Sequence, residues 1–350
     1  MIRRPPRSTP SNSSAASDVY KRQALSDASV TIELNATGSL MFSAITDNSG
    51  VVVVRLPSAY YDISIKWKDI VIYTYSNYGL LNESNEDIYA VCDVYYMTSV
   101  LRDSMNIAVE DATLSVYIAS TQTLLATATS NSSGICILRL PATAIDFVAI
   151  WMGVVVNETY GYAITESAGI NLQCAIYYLG LKATNYHGNT PLPYASFSMY
   201  LEDSEFMLYI LGDIQGEGQG RLPAANYHIS VIWQDAQVLE AYPYTLSKND
   251  NITLLCHVYN LTLILKDLKG ESVGNGAIRI VSNDTGQLFA TSTSDDSGMA
   301  VIMLPSGLYD ITITWQDAVV YNSWAYELSL IHISEPTRPL YISYAVFCLK

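Results

Sequence analysis

Cys92, Cys174 and Cys256 stand 82 residues apart, and Cys136 falls between the first two. Cysteines bridge, ligate metals or attack as thiolates. Three of these four occupy one recurring position, so most have no partner inside their own repeat. The spacing therefore favours buried small hydrophobes. Only Cys136 and Cys174 fall where a bridge within one repeat is open, provided their Cα atoms approach within about 4.4–6.8 Å. No C-x-x-C or zinc-type spacing occurs. His187, His228 and His257 do not recur: the first falls in a turn, the second outward on a strand, the third beside Cys256. These residues give no nucleophile–base pair and no ligand set. The chain is read as a non-enzyme with no cofactor and no metal.

Acids, aromatics and amides offer other chemistry. Asp47, Asp213 and Asp295–Asp296 recur and could hold Ca²⁺ between repeats. Asn131 interrupts that series and no D-x-D-x-D loop exists, so turn formation is favoured. Trp67, Trp151, Trp233 and Trp315 would stack on sugars if exposed, but they alternate in phase with core residues, which favours packing. Tyr95, Tyr96, Tyr177, Tyr178 and Tyr259 flank the repeat junctions and are expected to wedge neighbouring repeats together. N-x-S/T sequons at Asn35, Asn82, Asn131, Asn157, Asn251, Asn260 and Asn283 are candidate N-glycosylation acceptors.

The elements that position these residues come in four copies. Leu-Pro recurs with Pro57, Pro141, Pro223 and Pro305, at steps of 84, 82 and 82 residues. Each proline is preceded by a glycine seven residues earlier (Gly50, Gly134, Gly216, Gly298) and followed ten residues later by one of the four tryptophans. Between proline and tryptophan the pattern alternates, as in Tyr309, Ile311, Ile313, Trp315, which predicts a half-buried antiparallel strand. Asp69, Gly153, Asp235 or Asp317 then marks a tight hairpin turn. Upstream, Asp47 to Gly50 and its counterparts predict turns into short strands, of which Gln219–Leu222 is the weakest. About seven strands per repeat and no helical period predict an all-β chain, a tandem array of antiparallel prealbumin- or Ig-like sandwich modules.

The two ends read differently. Residues 1–23 and 328–350 resemble translated sequencing-adapter oligonucleotides, with codon matches over Met1–Thr9, Ser14–Gln23 and Leu328–Arg338. They are set aside as artefact-like, and 24–327 is expected to be an internal fragment. The expected modules are 24–97 (first strand missing), 98–178, 179–259 and 260–327 (last strand missing). The two affected sheets should be incomplete, or filled from Leu328–Ser334. The ends hold seven of the 18 Lys and Arg and two of the 33 acids, which leaves 11 basic and 31 acidic residues and a net charge of −20. Such a body repels phosphate backbones and argues against nucleic acid. The longest apolar run, Ala144 to Val156, is too short to span a bilayer and contains Asp146.

The pattern D-x-x-G, strand, L-P-x-G-x-Y, alternating strand resembles carboxypeptidase regulatory-like domains and the related transthyretin-like and Cna B-type modules. Ser294 to Gly298 with Leu304-Pro305-Ser306-Gly307-Leu308-Tyr309 carries it best. Tyr227 matches in repeat 3, and repeat 2 has Ile145 instead. The Trp-x-Asp/Gly turn and the Cys-x-Val/Ile-Tyr junction also look like archaeal cell-surface repeat proteins. The resemblance implies a prealbumin-like sandwich in a stalk, an adhesive module or an appendage to a secreted enzyme. Cna B-type modules often carry a Lys–Asn isopeptide bond. Here Lys266 follows the inward series Leu261, Leu263, Leu265 and points outward, and Arg102 and Thr184 replace it in repeats 2 and 3. The expected role is a non-catalytic extracellular or cell-surface spacer, surface-layer component or adhesive region, with other surface proteins or glycans as partners. The alternatives are an accessory region of a secreted hydrolase or transporter, and a carbohydrate-binding array.

Overall fold

A computed structural model describes residues 13–18, 23–81, 86–202, 207–329 and 340–341, with the backbone alone for 13–18, 207 and 340–341. Every regular element among the described residues is a β-strand. No helix there is long and apolar enough to cross a membrane. The chain divides into two compact units, residues 1–177 and 178–350. Each unit carries two of the repeats.

Repeat 2, in the first unit, shows the plan. Its larger sheet runs in the order Leu124–Thr129, Thr113–Ile118, Ala144–Trp151, Val154–Ala163, all antiparallel. Its smaller sheet runs Ile135–Pro141, Val94–Arg102, Ala168–Gln173. Period-two alternation turns Leu114, Val116, Phe147 and Ala149 of the larger sheet inward, onto Met97, Leu101, Cys136 and Leu140 of the smaller one. The same order of four and three strands recurs in every repeat, which gives eight sheets among the described residues. The outer strand pairing in each smaller sheet is parallel, as between Ala168–Gln173 and Val94–Arg102. Hydrophobic alternation reports which face is buried and is silent on strand direction, so this one parallel pairing in each otherwise antiparallel sandwich was not legible from it.

Two expectations about missing strands are also corrected. Ser13–Asp18 pairs with Val51–Val53 and Ile88–Cys92, so the first smaller sheet has its central strand. Leu340–Tyr341 pairs with Leu265–Lys266, and so stands in the outer position of the fourth repeat's smaller sheet. Of Leu328–Ser334, expected as a filler, Leu328 closes the strand Ala318–Leu328, and 330–334 lie outside the described residues. The strand expected to be weakest, Glu217–Pro223, is seven residues long, whereas Val51–Val53 is three. A close neighbour accounts for its Gly218 and Gly220. A Cβ on either would come within 2.7 or 2.6 Å of the Ile210 side chain, so the glycines let Ile210 lie flat on the strand.

Two-residue turns follow each repeated tryptophan. Lys68–Asp69, Met152–Gly153, Gln234–Asp235 and Gln316–Asp317 all have positive φ at both positions. That is the twist-matched hairpin turn, here mostly without glycine.

Candidate functional site

The recurring cysteines are buried thiols: Cys92, Cys136, Cys174 and Cys256 are all unbridged. Cys92 ends, and Cys174 and Cys256 directly follow, the parallel-paired strand of a smaller sheet, and each points its Sγ at the carbonyl two residues earlier, at 3.8, 3.8 and 3.6 Å. Burial pushes the Cys136 thiol up to about 11 and the Cys256 thiol up to about 12. A thiol so placed is neither nucleophile nor ligand at neutral pH. The four thiols are therefore expected to resist a water-soluble disulfide reagent at pH 8 in the native protein and to react fully in denaturant. Rapid native labelling of Cys92, Cys174 or Cys256 would show that these strand ends open.

The recurring acids build turns. In each repeat one side-chain oxygen accepts two backbone N–H groups: Asp47 Oδ1 from Ser49 and Val51, Asn131 Oδ1 from Ser133 and Ile135, Asp213 Oδ1 from Gln215 and Glu217, and Asp295 Oδ1 from Ser297 and Met299, all at 2.8–3.0 Å. Only an acceptor oxygen is needed, which is why Asn131 substitutes for Asp. The Ser297 hydroxyl and the backbone N–H groups hold the Asp295 carboxyl below its usual range. No group of three metal-ligating side chains occurs among the described residues.

The recurring aromatics are bonded inward. The indole N–H of Trp151, Trp233 and Trp315 donates to the carbonyl of Glu110, Pro193 and Gly274 at 3.1, 3.2 and 3.1 Å. Trp67 lies instead under two cations, with Lys68 Nζ at 4.9 Å and the Arg139 guanidinium at 5.8 Å from its ring. The prolines have a partner as well. Tyr61, Tyr227 and Tyr309 donate their hydroxyls back to the carbonyls of Pro57, Pro223 and Pro305 at 2.7, 2.8 and 3.0 Å. This bond is the physical content of the L-P-x-x-x-Y motif. Repeat 2 fills the place with Ile145, and Pro141 there belongs to a strand that pairs with Val94.

The histidines do not converge on one centre. His187 and His257 are exposed and flank the Tyr186 ring, at 5.8 and 6.5 Å between centroids. His228 is half-buried, and its Nδ1 takes no hydrogen bond among the described residues. Of the sequons, Asn35, Asn131, Asn251, Asn260 and Asn283 are exposed and Asn157 is half-buried. Asn82 lies outside the described residues.

Three constellations were missed by sequence reasoning. The first is a buried hydroxyl clamp. Thr46, Ser130 and Ser294 donate to the carbonyls of Leu25, Val109 and Val273 and accept the N–H of Ala28, Ala112 and Gly276. Repeat 3 has Gly212 there. The second is a bulge in the outer strand of each larger sheet. Asp62, Asp146 and Asp310 accept the N–H of Asn77, Gly161 and Ala325, all with positive φ. In repeat 3 the aligned positions are His228 and Pro243, which face each other in the ladder. Proline has no N–H and cannot take positive φ. The bulge accordingly moves two residues, to Ala241, whose N–H goes to Ser230 Oγ at 3.1 Å. The third is an exposed aromatic beside the bulge. Tyr160, Tyr242 and Trp324 stand 82 residues apart and are 65%, 43% and 74% exposed. The repeat offset alone would have found it.

No protein-family model and no curated protein matches the chain. Among solved structures it is similar to the Bacillus anthracis TIE protein (15% identity, 87% of this chain and 67% of that one, TM-score 0.26). It is also similar to GBS52, the minor pilin of Streptococcus agalactiae (16%, 46% and 95%, TM-score 0.30). A further likeness is to the shaft pilin SpaA of Lactobacillus rhamnosus GG (10%, 47% and 97%, TM-score 0.26). Likenesses this distant carry no argument about what the chain does.

The junctions between repeats are the remaining place where side chains from separate cores meet. One residue, Asp93, separates the strands Ile88–Cys92 and Val94–Arg102. Within the first unit, Lys68 Nζ reaches out of repeat 1 to the Leu125 carbonyl of repeat 2, at 2.7 Å. Arg139 of repeat 2 covers Trp67 and donates to the Ala24 carbonyl at 3.2 Å. Tyr96 bonds Gln23, and Ile70 packs against the cores of both repeats. Burial lowers the Lys68 ammonium from its usual range. In the second unit Tyr186 of repeat 3 packs on buried Tyr259 with ring centroids 5.4 Å apart.

Proposed function

We propose that this chain is a non-catalytic, extracytoplasmic spacer or adhesive region made of four tandem β-sandwich modules. The observation that carries this reading is the docked junction between repeats 1 and 2. A one-residue connection, a lysine bonded across the boundary and an arginine stacked on the neighbour's tryptophan restrain two cores that a flexible linker would leave free. Restrained beads suit a part that holds something at a distance. The second support is the fate of the recurring side chains. Cysteine, acid and tryptophan recur in the repeats, and apart from Trp67, which Arg139 of repeat 2 covers, the bonds shown for them and for the proline–tyrosine pairs lie within one repeat. The acidic body and the sequons fit a location outside the cytoplasm, with surface proteins or glycans as partners.

Antibodies raised against residues 24–327 test the placement on cells of the source. Labelling of intact, unpermeabilised cells is expected. Labelling that needs permeabilisation overturns the reading.

A further inference from the structure

We infer that the bulge of repeat 4 presents a carbohydrate-binding platform built from Trp324, Asp310 and Asn283. Trp324 is the one tryptophan outside the repeated core series, and it is 74% exposed on the strand Ala318–Leu328. The bulge sets it there. Ala325, the next residue, is held at φ 51 by the bond from its N–H to Asp310 Oδ1 at 2.8 Å. Asn283 Nδ2 donates to the same oxygen at 2.9 Å. Both bonds fall on Oδ1, so Asp310 Oδ2 is left without a bond among the described residues, and Asn283 keeps an amide hydrogen and a carbonyl oxygen.

A flat ring, a fixed carboxylate oxygen and an amide are the groups that a pyranose recognises. The face of an indole is electronegative. The C–H bonds on one face of a sugar ring offer it a positive surface, while neighbouring hydroxyls donate to a carboxylate and exchange bonds with an amide. The chain neighbours Asn322, Ser323 and Ala325 are polar or small, which suits a ligand of one or two rings better than the broad apolar centre of a protein interface.

The other repeats show which parts matter. Repeat 2 has the same set in Tyr160, Asp146 and Gln122, but there Gly161 and Gln122 occupy both carboxylate oxygens and the carboxylate residue is buried. Repeat 3 keeps Tyr242 and has His228 in place of the acid. Repeat 1 keeps Asn35 and Asp62 and has Ser76 in place of the aromatic. Among the described residues, repeat 4 alone combines an exposed indole with a carboxylate oxygen that takes no bond. This inference does not rest on the spacer reading, because an array can hold a partner at a distance with or without a sugar site.

The test is titration calorimetry of the whole chain, made in a host that does not N-glycosylate, against trisaccharides of glucose, N-acetylglucosamine, mannose and galactose. Binding of at least one class at millimolar or lower concentration is expected. Trp324→Ala should weaken it about tenfold, the loss of one stacking contact of about 1.4 kcal/mol. Trp324→Tyr should restore most of it, and Asp310→Asn should weaken it while preserving the acceptor for Ala325. Trp324 is exposed, so its replacement leaves the melting curve unchanged. No binding by the wild-type chain, or binding that Trp324→Ala leaves intact, overturns the inference. Concentration-dependent self-association lost in Trp324→Ala without any sugar binding also overturns it and assigns the face to a second copy.

Discussion

Gly134→Ala is expected to destabilise repeat 2 by about 2–5 kcal/mol and to lower its melting temperature by about 15 °C. Two effects add at this position. Gly134 has φ +73, a conformation that costs an L-residue about 1–2 kcal/mol. A Cβ there would also stand 2.5 Å from the Leu101 carbonyl oxygen and 3.2 Å from the Val109 nitrogen, both of them backbone atoms. Those atoms cannot step aside without breaking the bonds from Leu101 N to Gly134 O and from Val109 N to Leu101 O. Gly298 is the same case, with a Cβ 2.4 Å from the Leu265 carbonyl oxygen. Gly153 separates the two effects. It has φ +78 with nothing within 4 Å of a Cβ, so Gly153→Ala should show the conformational cost alone, about 1 kcal/mol. Calorimetry on both variants checks this. Equal losses would show that the close backbone approach contributes nothing.

This glycine was legible in the sequence as the last residue of a turn, and the reason for it was not. Turn chemistry explains the positive φ, whereas the approach to Leu101 belongs to a strand 33 residues earlier in the chain. The same division holds elsewhere. Repetition exposed the prolines, tryptophans, turn acids and cysteines, because a residue that recurs at fixed spacing must answer a need common to every copy. It hid groups whose type changes while their role is kept. Thr46, Ser130 and Ser294 share a clamp that two residue types serve, and Gly212 has no side chain to serve it. The bulge is hidden further, since Pro243 and His228 move it two residues along its strand. The parallel pairing was illegible for another reason: burial alternation is the same for either strand direction. The exposed aromatic at 160, 242 and 324 was legible in principle. Attention to inward positions passed over it, although an outward aromatic that recurs is the more informative kind, having no core to explain it.

Tyr227→Ala is expected to destabilise repeat 3 by about 3–5 kcal/mol, against about 1 kcal/mol for Tyr227→Phe. The ring is buried between the sheets, so its removal leaves a cavity that the sandwich cannot close. The hydroxyl makes one bond, to the Pro223 carbonyl at 2.8 Å, and its loss leaves that carbonyl without its tyrosine donor. Repeat 2 is the natural comparison: Ile145 is fully buried there, so the position tolerates an aliphatic residue where the neighbours supply volume, as Phe147 and Tyr162 do in ring contact at 5.8 Å. Alkali separates ring from hydroxyl a second way. Burial raises the Tyr61 and Tyr227 phenols above their ordinary 10 and pushes Tyr309 up to about 12. A phenol whose folded value is raised stabilises the fold fully below the unfolded value, near pH 10, and that contribution is lost as pH climbs toward 12. Repeats 1, 3 and 4 should therefore lose stability in that window, whereas repeat 2, with Ile145, should lose its share earlier, through Cys136, pushed up to about 11. Tyr227→Phe should shrink the alkaline limb of repeat 3, to which Tyr244 and Cys256, both pushed up to about 12, also contribute, while lowering its stability at pH 7. Denaturant melts at pH 7, 10 and 11.5 measure both. An alkaline limb as steep in Tyr227→Phe as in the parent would place the loss on Tyr244 and Cys256 instead.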